Sequence, residues 1–211
     1  MNPSSLKVTG AWFQVGGNLT AAIGTTRGFI GEEKVESDLV IVGSSLQALG
    51  YILQIIASNY DDGEEKRENQ NIDLENQSKL LDQIGIELLA LGNISNVIGT
   101  YFNINEHLKE NDYLIITGNS LQSIGAFLGV EAALLDINVL QKIIILGNSM
   151  QSLGAGLQAY QGVSNVLKDE RIIALIGIWI QAIGTLISAI GVTAIEEENR
   201  LENNKKSEIL I

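Results

Sequence analysis

Apolar residues along this chain recur at helical spacing, and a glycine-led pattern recurs in phase with them. GNSLQSIG (118–125) returns as GNSMQSLG (147–154), GSSLQALG (43–50) and GIWIQAIG (177–184). With the first glycine as position 0, six segments begin at Gly10, Gly43, Gly85, Gly118, Gly147 and Gly177. A second glycine stands at position 7 of each, at Gly17, Gly50, Gly92, Gly125, Gly154 and Gly184, and three segments add one at position 14, at Gly24, Gly99 and Gly191. A strand alternates by two and cannot keep a period of seven on one face. A helix turning about 100° per residue can, with a drift of about 20° per step. The glycines therefore form one stripe on each of six helices.

Position 4, about 40° to one side of the stripe, is glutamine in five segments: Gln14, Gln47, Gln122, Gln151 and Gln181; the third carries Leu89. On the other side an aliphatic arc runs through residues such as Leu46, Leu121, Leu49, Ile52, Ile56, Ile183, Leu186 and Ile190. Each helix thus has two expected contact faces. One is a broad aliphatic face of the kind ordinarily turned to a core. The other is a bare groove that lets a neighbouring helix approach closer than the usual spacing of about 8–10 Å, with the glutamine spanning a dry seam.

This reading predicts helices at about 7–25, 39–58, 73–102, 113–136, 138–165 and 170–203, in one all-α domain over 1–211, packed as a bundle or a short helical array. The connector 28–38 offers Ser37 or Asp38 as a helix cap, the acidic stretch 59–71 reads as a hinge, and 196–211 as a charged C-terminal extension. An array whose end helices resemble its middle ones lacks polar caps. The last segment is the most apolar, so a homo-oligomeric partner is expected to cover it.

Composition sharpens this picture. Pro3 is the only proline, while 22 glycines weigh against helix at roughly 1 kcal/mol each in a helix interior, so they need a packing reason. The net charge of −12, from 13 Lys+Arg against 25 Asp+Glu, argues against a nucleic-acid partner. Without cysteine there is no disulfide, thiol nucleophile or thiolate metal site. MNPSSLKVTGAWFQVGG has no secretory pattern, so a cytoplasmic location is expected, with spore or membrane association as further options.

Enzyme signatures are absent. His107, the only histidine, lies in the polar segment NEHLKEND and reads as solvated. No phosphate-binding GxxxxGK[ST] loop exists, and Ser120 and Ser149 recur in equivalent segments, which marks them as structural. Glu87, Glu131 and Asp136 interrupt apolar runs, but no Glu-x-x-His motif accompanies them to make a carboxylate metal site. No catalytic, cofactor or metal site and no small-molecule substrate is expected.

The stretch 172–195, IIALIGIWIQAIGTLISAIGVTAI, holds no charge and is long enough to cross a bilayer. The matching GNSMQSLGAGLQAYQGV carries many polar groups, which favours a buried core helix. Glycine stripes also pack membrane helices, so the span remains the alternative. GIWIQAIGTLISAIG resembles the uncharacterised repetitive proteins of Bacillus-like bacteria in which WIQAIG-type and GNxLQ-type segments recur. That resemblance implies a bacterial, low-GC Gram-positive source and no particular activity. The expected function is a non-enzymatic structural protein that self-assembles through its glycine-striped helices. The alternative is a membrane-active or pore-forming protein inserting through 172–195.

Overall fold

The computed structural model describes residues 2–65, 73–105, 109–135, 137–164 and 171–209. Six helices make up nearly all of it: α1 Pro3–Phe29, α2 Glu33–Glu65, α3 Asp73–Asn105, α4 Lys109–Leu135, α5 Val139–Ser164 and α6 Arg171–Ile209. Among the described residues there is no strand, so the protein is all-α. Local chemistry sets the ends. Asn2 caps α1 by accepting from Ser4 N–H at 3.0 Å, with Pro3 at the first helical position, where its missing N–H costs nothing. Gly31 closes α1 at φ +95, and Gly31 N–H to Gly28 C=O (2.9 Å) with Glu32 N–H to Arg27 C=O (3.0 Å) completes a Schellman turn. That tight turn starts α2 at Glu33, so Ser37 and Asp38 lie inside the helix and cap nothing; Ser37 Oγ instead bonds Glu33 C=O at 3.1 Å.

Consecutive helices pack antiparallel, and α6 returns to α1, so every helix has two ring neighbours. The bundle is a closed ring, not an open array. Closure leaves no uncapped end helix, which removes that reason for expecting a partner on the last segment.

The closest contacts occur within the hairpins α1–α2, α3–α4 and α5–α6. Gly10 meets Gly50 and Gly17 meets Gly43; Gly85 meets Gly125 and Gly92 meets Gly118; Gly147 meets Gly184 and Gly154 meets Gly177. At all twelve positions an added Cβ would lie within 2.7 Å of the partner glycine's carbonyl oxygen. Two glycines seven residues apart suit this geometry. In an antiparallel pair the position-0 glycine of one helix faces the position-7 glycine of the other, and the reverse contact follows. Each glycine then presents a Cα–H to a carbonyl, a weak bond that recurs where helices touch backbone to backbone.

Seams between hairpins use other small or polar residues. Ser123 and Ser152 each donate to the other's carbonyl at 2.9 Å across α4–α5. Alanines fill α1–α6, where Ala21 and Ala22 meet Ile178 and Ala182, and Ala11 and Val15 meet Ala189. Trp12 Nε1 reaches Thr193 at 3.2 Å and Trp179 Nε1 reaches Thr26 at 3.1 Å over the same seam.

The aliphatic arc has the opposite orientation to the expected one. Leu49, Ile52, Ile56, Ile183, Leu186 and Ile190 are all exposed, Ile183 by 48%. Trp12, Ile23, Leu91, Ile98, Ile124, Phe127, Leu146 and Leu153 are exposed on the remaining helices. The physical reason is room. Glycine seams draw the helices so close that the ring interior is filled mainly by small and polar side chains, with Tyr51 and Leu89 as exceptions, and most bulky ones are left outside.

These contacts predict a sharp difference between adjacent glycines. Gly17→Ala should lower the thermal midpoint, because its Cβ meets backbone that cannot step aside, and Gly17→Leu should prevent the hairpin from closing. Gly16→Ala has open space around it and should stabilise by about 0.5–1 kcal/mol through helix propensity. Melting curves followed by circular dichroism check both signs.

Candidate functional site

The polar residues face inward. Gln14, Gln47, Gln122, Gln151 and Gln181 are all buried, and the largest fully buried side chains are Asn18, Asn93 and Thr185. A core without partners for these amides would be costly; here most of them bond one another. Gln181 Nε2 donates to Gln122 Oε1 at 2.6 Å, and Gln158 Nε2 to Gln181 Oε1 at 2.6 Å, tying α4, α5 and α6. Gln14 Nε2 reaches Gln54 Oε1 at 3.0 Å between α1 and α2. Gln151 Nε2 donates to Ser188 Oγ at 3.0 Å, and Tyr51 OH donates to Gln151 Oε1 at 3.3 Å, crossing the ring from α2 to α5. Asn18 Nδ2 donates to Thr185 Oγ1 at 2.8 Å, and Asn96 Nδ2 to Asn119 Oδ1 at 2.7 Å. Leu89 takes the glutamine's place on α3 and packs with Tyr51, Ala90 and Ala126.

Sequence reasoning named the glutamines and missed the asparagines. Asn119 and Asn148 occupy position 1, Asn18 and Asn93 position 8, and Asn96 and Gln158 position 11 of their segments. At about 100° per residue these positions fall about 20° to 100° from the glycine stripe, on the glutamine's side. The inward polar arc was therefore present in the same count that found Gln at position 4.

A cavity of about 290 Å³ opens at the end of the ring where each hairpin turns, with lining from all six helices. Gln47, Gln122 and Gln181 line its inner part, Asn96, Asn119 and Gln158 its walls, and Glu36 and Asp112 stand one turn inside the N-terminal ends of α2 and α4. Asp112 Oδ1 accepts from Asn103 Nδ2 at 3.0 Å. Gln161, also in the lining, accepts from the backbone N–H of Ala174 at 2.5 Å. That bond satisfies one of the orphan donors at the start of α6.

At the opposite end Lys7 pairs with Glu196 at 3.7 Å. Asp82 stands there on α3 with an exposed surface and yet dense protein around it, which pushes its carboxyl pKa up while Lys7 pulls it down. Exposure and enclosure agree if solvent reaches Asp82 through the open end of the ring. Tyr51 and Gln151 close the interior between the two ends.

The remaining sequence candidates do not gather. Glu87 is exposed and accepts from Gln83 at 3.3 Å, Ser120 Oγ bonds its own helix at Ile116 C=O, and Glu131 is half-buried on α4. His107 and Asp136 lie outside the described residues. Among the described residues no group of three or more His, Cys, Asp or Glu is placed to hold a metal ion. Three helices, over Glu33–Tyr60, Glu110–Leu135 and Arg171–Glu202, are long and apolar enough to cross a membrane.

Fold and interior together define an antiparallel six-helix ring with a polar inside and an apolar outside. The chain belongs to the family of unknown function DUF6944, whose model matches residues 5–189. No curated protein and no solved structure matches it.

Two substitutions probe the interior. Gln181→Leu removes the donor to Gln122 Oε1 and leaves the Gln158 amide only its bond to Gly154 C=O, and should destabilise by roughly 1–3 kcal/mol despite adding apolar bulk; chemical denaturation reads this, and an unchanged midpoint would mean the amides do not hold the helices. Asp82 supplies a pH test. Its raised pKa means the folded state binds the proton more tightly, so ionised Asp82 costs stability, and that cost grows as pH rises from the ordinary carboxylate range, about pH 4, through the folded value. Asp82→Asn should raise the thermal midpoint near neutral pH, and the gain should vanish in acid.

Proposed function

We propose that this protein is an integral membrane protein, a non-enzymatic bundle whose six helices cross a bilayer and whose role resides in its polar interior. The observation that carries this reading is the outward aliphatic surface on every helix. A second copy covers one side of a ring. An apolar belt facing all directions calls for an apolar solvent, and patches of this extent mark interaction surfaces.

Four further features support it. Each helix holds a stretch free of Asp, Glu, Lys and Arg, at 8–26, 39–60, 88–105, 113–130, 143–164 and 172–195, the shortest being 18 residues. At about 1.5 Å per residue, 18 residues span about 27 Å, close to the hydrocarbon core of about 30 Å. Exposed Phe29, Tyr60, Tyr101, Phe102, Tyr113 and Tyr160 sit near the borders of these stretches, where aromatic rings bridge hydrocarbon and headgroup. Glycine and serine seams suit lipid, where no hydrophobic drive joins helices and close packing with polar bonds must serve. Finally, an unbroken helical backbone satisfies its own polar groups.

The charges at the two ends also differ. Among the described residues, six Lys or Arg belong to the end where α1 begins, namely Lys7, Lys79, Lys142, Arg200, Lys205 and Lys206, against four at the other, namely Arg27, Lys34, Lys109 and Arg171. By the positive-inside rule the termini are cytoplasmic, and the 290 Å³ cavity opens away from the cytoplasm.

Cell fractionation tests the proposal. The chain should sediment with membranes, resist alkaline carbonate and dissolve only in detergent. Because it lacks cysteine, single Ile183→Cys and Lys205→Cys variants give a second measurement. In sealed inside-out vesicles a membrane-impermeant maleimide should label the cysteine at 205 and spare the one at 183. A soluble chain forming regular assemblies in buffer would overturn membrane insertion in favour of self-assembly through the same surface.

A further inference from the structure

The polar wall of the cavity is finished on one side only. On α5 and α6 the lining amides are bonded: Gln158 donates to Gln181, Gln181 donates to Gln122, and Gln161 accepts from Ala174 N–H. The side formed by α2, α3 and α4 differs. Ser44, Gln47, Thr100, Asn119 and Gln122 line the cavity there and are each more than nine-tenths buried. Yet Ser44 Oγ, Gln47 Nε2, Thr100 Oγ1, Asn119 Nδ2 and Gln122 Nε2 have no hydrogen-bond partner among the described residues. Gln47 Oε1 is wholly occluded, whereas these five groups keep accessible surface, and the space open to them is the cavity that their residues line. Buried hydrogen-bonding groups are seldom left without a partner. Five of them on three adjacent helices, all reaching one cavity, point to an occupant that bonds them.

Chemistry and size narrow the class. Three of the five groups are amide nitrogens, which only donate, and two are hydroxyls, which donate or accept. The lining has no lysine, arginine or histidine to offset an anion, and it carries Glu36 and Asp112. A cation suits the unbonded wall no better, because amide hydrogens present their positive ends to it. The volume of about 290 Å³ lies at the small end of ligand sites, which run from about 300 to 1,000 Å³. We propose that the cavity binds a small neutral polyol, whose hydroxyl oxygens accept from Gln47, Asn119 and Gln122 and whose hydroxyls also pair with Ser44 and Thr100. A hydroxyl both accepts and donates, so one such molecule answers both kinds of group. The site lies inside the ring and stands whether the outer belt meets lipid or protein.

Xylitol is the probe, titrated by saturation-transfer NMR against the full-length chain, in buffer or in a detergent without a sugar headgroup, whichever keeps it monodisperse. Glutarate, cadaverine and pentanediol share its chain length and replace its row of hydroxyls with two anions, two cations or a bare chain ending in hydroxyls. Xylitol should bind saturably, one per chain, and none of the three should displace it. Among the described residues Gln47 makes no hydrogen bond, and its Cγ lies over Gly17. Gln47→Met therefore keeps the stem, strands no protein partner and removes one donor to the ligand. It should weaken xylitol binding by about tenfold while the thermal midpoint holds or rises; a glutamine with a merely structural role would lose midpoint and keep affinity. Ser44→Ala should weaken binding as well, which keeps the test decisive if the methionine variant fails to fold. Ser149→Ala on the exposed face of α5 should leave it unchanged. Absence of saturable xylitol binding, which would leave the cavity to water, displacement by glutarate or cadaverine, or equal affinity in Gln47→Met and Ser149→Ala would each overturn the site.

Discussion

Backbone contact between paired glycines is the constraint on which this structure depends. A Cβ at any of the twelve paired positions would fall within 2.7 Å of a partner carbonyl, so each hairpin closes only because those side chains are missing. Close hairpins make a narrow ring, and its interior takes few bulky side chains, Tyr51 and Leu89 among them. The placement of every other residue type follows from that limit. Alanine, serine and glycine fill the seams, amides fill the centre, and bulky aliphatic residues are pushed to the rim.

The interior is built differently from a core of large apolar side chains. In water, burial of large apolar side chains supplies most of the favourable free energy, at about 25 cal/mol per Å². Here the largest fully buried side chains are two asparagines and a threonine. The helices are joined by Cα–H contacts, serine pairs such as Ser123–Ser152 and amide bonds such as Gln122–Gln181. Such contacts bring modest net stability in water, where the unfolded chain bonds to solvent. They count for more when the surroundings offer no competing partners, and an apolar medium against Leu153, Ile183 and their neighbours offers none. Membrane insertion, as proposed above, would account with one environment for both the exposed aliphatic belt and the polar interior.

The interior is finished in some places and open in others. Gln14, Gln122, Gln151 and Gln181 bond neighbours across helices, and Tyr51 locks α2 to α5. Four buried side-chain oxygens, those of Asn18, Gln47, Asn93 and Asn96, are left without a hydrogen-bond partner.

By itself the sequence determined the elements and their seams. The interval of seven could be held on one face only by a helix, the glycines at positions 0 and 7 required a close neighbour, and glutamine at position 4 implied a polar bridge. The six predicted spans agree with the observed helices to within a few residues at most ends. What the tertiary structure alone decided is which side of each helix is the inside. A stripe containing Ile183, Leu186 and Ile190 has the same period whether it faces a protein core or an apolar solvent, because periodicity records that a face avoids water and not what it meets instead. Ring closure by the α1–α6 seam resolved that ambiguity. Once six glycine-tight helices closed on themselves, the amide arcs faced one another across the interior, where they bond, and most long aliphatic residues were left outside, with Leu89 and Tyr51 as inward exceptions.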